Sequence, residues 1–334
     1  MKTTRLYEKF GGVSSFFNSI GLFRGLSQLD QSKLPNKLST IANETIIDIA
    51  TGNGNIFYLT DTGKVFFMGD NSRGQGGTSD RHFDYFTQIP LHTPIKQMSI
   101  GLQHCLFQDH KGSIYGCGAS NYFQIAPKDQ TEIEELGKIK QFTTPIEVYT
   151  EISKVKYIST GHFHTVLAND TEIASNGFNI RGQCGKDNFD HELVPRPALI
   201  KTFDDGETIK EIYSGNCHNI IKTNQKLYFM GNRSHYQLPD ELTSSIGFEY
   251  VFFDEIFLKQ QFGYDLTDIT QINAKFDKTA IVFKNGDALL FGNIQNGDEE
   301  KTELIEHIKA EETGYKIKHF CPGVQWDLKY VEYY

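Results

Sequence analysis

Three histidines, His104, His164 and His218, each follow a glycine by three residues, in Gly101-Leu102-Gln103-His104, Gly161-His162-Phe163-His164 and Gly215-Asn216-Cys217-His218. Imidazole is a common zinc donor, and three converging rings would make a metal centre. They occupy the same place in successive copies of one string, however, and a repeat architecture holds equivalent atoms apart. Structural, hydrogen-bonding histidines are therefore the preferred reading, and His162 is too isolated to interpret. Five cysteines, Cys105, Cys117, Cys184, Cys217 and Cys321, are odd in number, widely spread and free of any CxxC pair. That pattern suggests neither a disulfide framework nor a zinc site, and a reducing compartment fits it. Gly52-Asn53-Gly54-Asn55 is glycine-rich like a phosphate cradle but lacks the following Lys-Ser/Thr and the strand-loop-helix setting, so it reads as a strand entry. GxSxG, HExxH and cysteine-protease signatures are missing, and the carboxylates have no spacing that selects an acid-base pair. No catalytic residue, cofactor or metal site is expected, and the chain reads as a non-enzyme.

These glycines and histidines belong to a recurring unit: an apolar strand, a Gly, a His, a second strand, a polar turn, a third strand and another Gly. A copy beginning at Gly52 has Asn55 in the His place and continues through Thr60-Asp61-Thr62-Gly63 to Gly69. Alternating β-favouring residues around such a turn spell a hairpin. The glycine-to-glycine interval is 17 residues from Gly52 to Gly69 and from Gly101 to Gly118, and 16 from Gly161 to Gly177 and from Gly215 to Gly231. Successive copies nevertheless start 49, 60 and 54 residues apart. A fixed hairpin with a variable outer connection is what propeller blades show, because strands near the axis pack on both faces while peripheral ones accept insertions. A fifth copy over residues 269–292 ends at Gly292, has lost its first Gly and carries Lys278 in the His place.

The turns after the hairpins add a second signature: Arg73-Gly74-Gln75-Gly76-Gly77 and Arg181-Gly182-Gln183-Cys184-Gly185, with weaker Phe123-Gln124-Ile125 and Tyr236-Gln237-Leu238. Combined with the GxxH hairpins over residues 45–295, this string resembles the regulator-of-chromosome-condensation (RCC1-like) repeat family. A Phe-Met pair, or nothing, replaces the aromatic usual before the hairpin-ending Gly, marking a divergent member. The resemblance implies an all-β fold, a single β-propeller over residues 1–334. Its expected parts are an N-terminal clasp and lead-in over 1–35, five blades over 45–313, and a C-terminal half blade over 314–334. Residues 315–326 resemble the first half of a repeat and Arg5-Leu6-Tyr7-Glu8-Lys9-Phe10-Gly11-Gly12 a missing strand, so the termini are expected to pair into a sixth, composite blade and remove an exposed edge. Residues 239–269 leave room for a seventh.

The chain's 334 residues carry a formal net charge of -9, which opposes sequence-independent attraction to nucleic acid. Hydrophobic residues make up 38% and aromatics 13%, enough for a packed core. No apolar run approaches the roughly 18–20 residues of a membrane-spanning helix, so a soluble chain without membrane insertion is expected. Lys2, Arg5, Lys9 and Arg24 against Glu8 alone give the first 29 residues the composition of a mitochondrial transit segment, although docking on the fold is the preferred reading. Mitochondrial and cytoplasmic or ciliary locations both stay open. Two segments suggest partner contacts. Residues 245–257 concentrate Phe248, Tyr250, Phe252, Phe253 and Phe257, and exposed aromatics anchor interfaces, although an outer strand buried on its own blade is slightly preferred. Residues 298–309 place Leu304 and Ile308 among acids at helical spacing, predicting a short surface helix. The expected function is a noncatalytic protein-interaction propeller, a scaffold or accessory subunit of a larger intracellular assembly. Some relatives promote nucleotide exchange on a small GTPase through loops on one face, which makes such a regulator the alternative; the repeat alone does not confer it.

Overall fold

The structure is a computed structural model that describes residues 45–52, 54–129, 141–185, 192–204, 206–231, 253–275, 277–292, 305–321 and 328–333. Among these, the chain forms five antiparallel four-stranded sheets in succession, followed by a two-stranded sheet. The first blade runs β1 (Ile46–Thr51), β2 (Asn55–Thr60), β3 (Val65–Asp70) and β4 (His82–Gln88). The second is β5 (Ile95–Ile100), β6 (His104–Asp109), β7 (Ile114–Ala119) and β8 (Gln141–Glu147). The third is β9 (Tyr157–Thr160), β10 (His164–Ala168), β11 (Glu172–Phe178) and β12 (Leu193–Thr202). The fourth is β13 (Ile209–Ser214), β14 (His218–Thr223), β15 (Lys226–Gly231) and β16 (Phe253–Asp254). The fifth is β17 (Ile269–Lys275), β18 (Lys278–Phe283), β19 (Ala288–Gly292) and β20 (Ile305–Ile308). The last sheet pairs β21 (Tyr315–Cys321) with β22 (Leu328–Tyr333).

The register repeats as strictly as the spacing. The residue in the His place faces the hairpin-ending glycine in every blade: Asn55 and Gly69, His104 and Gly118, His164 and Gly177, His218 and Gly231, Lys278 and Gly292. Burial follows position. The second strands β2, β6, β10 and β18 are buried along their whole length, because neighbouring blades cover both faces and sister strands both edges. The outer strand β4 is exposed except at half-buried Phe83 and Phe86.

Among the described residues the core is divided, a separate apolar cluster filling each gap between successive blades. Consecutive residues of one strand point into opposite gaps, as a two-residue period requires. Thus Phe107 joins Phe57 and Phe67 between blades 1 and 2, while Leu106 joins Leu167 and Val155 between blades 2 and 3. Likewise Ile221 packs with Val166, and Ile220 with Ile281. Ile317 of β21 joins Ala280, Val282 and Leu290, so the two-stranded sheet stacks on blade 5 in the same manner.

One expectation changes. Where a surface helix was expected over 298–309, the described part, Ile305–Ile308, is strand β20, pairing Ile305 with Phe291 and Ile308 with Ala288. A free main-chain edge on β19 outweighs helical spacing in so short a piece, since isolated short helices are marginal. Between blades 4 and 5, Phe253 pairs with Leu227 as the outer strand β16, then α1 (Glu255–Phe262) and a 3-10 turn (Leu266–Asp268) lead into β17. No extra sheet is present there among the described residues. The terminal clasp over residues 1–12 lies outside the described residues.

Candidate protein-interaction face

The repeat histidines work between blades. His104 Nε2 lies 3.1 Å from Thr165 Oγ1, His164 Nε2 2.8 Å from Asn219 Oδ1, and His218 Nε2 3.0 Å from Thr279 Oγ1. Thr165, Asn219 and Thr279 directly follow the His place of the next blade. Thr165 Oγ1 donates in turn to the Gln124 carbonyl at 2.7 Å, and Asn219 Nδ2 to the Gln183 carbonyl at 2.8 Å. Each chain thus leaves one blade and returns to that blade's Gln-containing turn. These directions place a proton on Nε2 of His104 and His164. All three rings are buried, and Nδ1 of each has no hydrogen-bond partner. Burial pulls the pKa down to about 3 for His104, about 4 for His164 and about 3 for His218. Equivalent histidines do not meet, and the described residues contain no group of three or more His, Cys, Asp or Glu side chains that could hold a metal.

The first glycine of GxxH exists to admit that ring. A Cβ on Gly101 would lie 2.9 Å from His104 Cε1, and one on Gly161 2.5 Å from His164 Nδ1. The hairpin-ending glycines have a different reason. Gly69, Gly118, Gly177, Gly231 and Gly292 have φ between +109° and +117°, a region hostile to side chains.

GxxH loops and Gln turns lie at the same end of their blades, since one joins strands one and two and the other strands three and four. The Gln turns are self-supporting: Gln75, Gln124 and Gln183 side-chain oxygens accept from the backbone N–H of Arg73, Tyr122 and Arg181 at 3.1, 2.9 and 2.9 Å. They hold Arg73 and Arg181 outward, both exposed. Between blades 2 and 3 the same face carries an aromatic cluster. Tyr122 lies 4.8 Å from Phe163 and 5.0 Å from Phe178, centroid to centroid, and His162 stacks on Phe163 at 3.9 Å. All four rings are half-buried. Leu193, strand partner of Phe178, and Ile180, two residues beyond it, are 37% and 44% exposed, so apolar surface continues outward from the rings. Burial lowers the His162 pKa and the Asp277 carboxylate opposes it; burial and Asp277 push the Cys217 thiol up to about 11.

The opposite end holds a titratable cluster. Tyr264 Oη donates to Asp287 Oδ2 and lies 2.8 Å from His307 Nε2, while Asp287 Oδ1 accepts from Ala310 N at 2.7 Å. Burial and the Asp287 carboxylate hold the Tyr264 hydroxyl well above its usual range. Tyr264 also stacks on Phe283 at 3.8 Å, so the group ties the inter-blade connection to the blade 5 hairpin.

Of the residues suggested for partner contact, Phe248, Tyr250, Phe252 and Leu304 lie outside the described residues. Phe253 falls in β16 and Phe257 in α1. Ile308 is 6% exposed within the cluster beneath the last sheet, which removes it as a contact: its strand faces it inward. The aromatic cluster escaped sequence reading because Tyr122, Phe163 and Phe178 come from a turn, a GxxH loop and the end of strand β11, although Phe163 in a GxxH loop was its visible signal.

The family description "Regulator of chromosome condensation (RCC1) repeat" matches residues 46–75. Among curated proteins, the chain is 26% identical over 224 residues to the probable E3 ubiquitin-protein ligase HERC3 of Homo sapiens, covering 65% of this chain and 20% of that protein. It is 27% identical over 219 residues to protein RCC2 of Mus musculus, covering 59% of this chain and 42% of that one. The match therefore spans less than half the length of either relative. Among solved structures, Prp20p of Saccharomyces cerevisiae, described with its binding properties to Gsp1p and histones, superposes with a TM-score of 0.65 at 20% identity, covering 87% of this chain and 69% of that one. That likeness is one of fold. The repeat match at residues 46–75, the relatives and the shared propeller agree with the register that recurs in all five blades, and the chain is similar to proteins of the RCC1-like repeat family.

Proposed function

We propose that this propeller is a noncatalytic protein-interaction module, a scaffold or accessory subunit of a larger intracellular assembly. The aromatic cluster of Tyr122, His162, Phe163 and Phe178 carries this reading. Its rings are half-buried, exposed Leu193 pairs with Phe178, and exposed Ile180 and Arg181 follow Phe178 by two and three residues in the Gln183-braced turn, the composition of an interface anchor. Affinity purification of the tagged chain from native cells tests it, comparing wild type with Ile180→Asp/Leu193→Asp. The expected result is a stoichiometric partner lost in the variant at unchanged melting temperature; partners retained equally by both would overturn the assignment of this face.

A regulator of a small GTPase is the second reading, favoured by the likeness to Prp20p and its binding properties to Gsp1p. Acceleration of nucleotide release from a small GTPase by the purified chain would select it. In either case the propeller is proposed to have six blades over residues 1–334, with residues 1–12 completing the two-stranded sheet, because β22 pairs on one side only among the described residues.

A further inference from the structure

The first glycines of blades 1 to 4 pack tightly one against the next. A Cβ on Gly52 would lie 2.9 Å from the Gly101 carbonyl oxygen, one on Gly101 2.5 Å from that of Gly161, and one on Gly161 2.7 Å from that of Gly215. Each glycine abuts the glycine of the next blade, and such an abutment excludes a side chain. Counting three back from Lys278, blade 5 carries Lys275 in this place. Its ammonium group donates to the Thr51 carbonyl at 3.0 Å and to Thr51 Oγ1 at 2.7 Å. Thr51 directly precedes Gly52, the corresponding glycine of blade 1, and is 224 residues away in sequence. The repeat therefore departs from glycine in blade 5, at the one residue whose side chain reaches the first blade's corresponding loop among these positions.

We infer that Lys275 is a strap that ties the inner strand of blade 5 directly to that of blade 1 at the end bearing the GxxH loops. A side chain shorter than lysine's four-carbon stem would leave the gap unspanned, and a charge-assisted bond to a carbonyl is stronger than a neutral one. The strap acts at the axis, whereas the proposed clasp acts at the C-terminal sheet, so the two are separable.

Hydrogen exchange of the full chain separates them. Lys275→Met keeps the stem and loses the donors; Lys275→Gly restores the repeat residue. In Lys275→Met, amides of β1 (Ile46–Thr51) are expected to exchange about tenfold faster, while those of β9 (Tyr157–Thr160) stay at the wild-type rate. Adding Thr51→Val should accelerate β1 less in the Lys275→Met background than in wild type. Should Lys275→Gly fail to fold, the Met and Val variants decide. Wild-type β1 exchange in Lys275→Met, or full additivity with Thr51→Val, overturns the strap.

Discussion

The histidines show how a residue chosen for packing becomes a pH liability. His104, His164 and His218 are neutral when folded, with pKa values about 3, about 4 and about 3, whereas an unfolded histidine titrates near 6.5. Because the folded values are lowered, the unfolded state binds protons that the folded state refuses. Stability is full above about pH 6.5 and is lost as pH falls from there toward 4. Three such groups give a slope approaching about 4 kcal/mol per pH unit at the lower end of that window. Melting temperature measured from pH 8 to 4.5 should therefore fall steeply below 6. In His164→Asn the fall should be shallower by about a third, with a cost of roughly 1–3 kcal/mol at pH 7.5 from the buried partner Asn219 left unpaired. Asn55, already in the His place of blade 1, shows that the amide is sterically admissible. An acid limb unchanged in the variant would contradict the assignment. The His place was legible in sequence because its spacing repeats. Its partners were not read, although Thr165, Asn219 and Thr279 are polar residues in strands otherwise apolar, a signal that only a neighbouring blade explains.

At the level of elements, the hairpin's constancy rests on two kinds of glycine, and substitutions should tell them apart. Gly161→Ala meets the His164 ring and the Gly215 carbonyl, the latter at 2.7 Å, in a gap between two blades. Overpacking of this kind costs about 1–3 kcal/mol. Gly112, at the exposed hairpin turn of blade 2, has φ +97° with nothing within 4 Å of an added Cβ; Gly112→Ala should cost about 1 kcal/mol, the strain alone. Chemical denaturation of both variants measures the difference, and equal losses would show that inter-blade crowding does not set the spacing. Elements were legible wherever this crowding applied, which is why five hairpins could be read from GxxH and its interval. The outer strands were less legible, since one side of each is open and little constrains their residues, although Phe253–Asp254 falls in the segment read as an outer strand. Residues 305–308 read as helix from Leu304, Ile305 and Ile308, yet the edge of β19 makes them a strand.

For the molecule as a whole, a separate cluster in each gap means that stability is shared among neighbours, as in other repeat architectures. The terminal blades are then the weak ones, each missing a neighbour unless the ring closes. Blade 5 is covered by β21 through Ile317, but among the described residues that sheet has two strands where its predecessors have four. An open strand edge both frays and invites pairing with other chains. If residues 1–12 supply the next strand, deleting them exposes this edge and releases the sheet that covers blade 5. The deleted chain should melt about 5 °C or more below the intact one, the shift that a few kcal/mol produces at such lengths. It should also self-associate at high concentration, read by light scattering. The loss should be local at first: amides of β18 and β19 exchange faster while those of β10 hold, because the gap between blades 2 and 3 keeps its own cluster. A truncated chain that melts with the intact one and protects β18 equally would show that the sheet is completed by something other than the N-terminus.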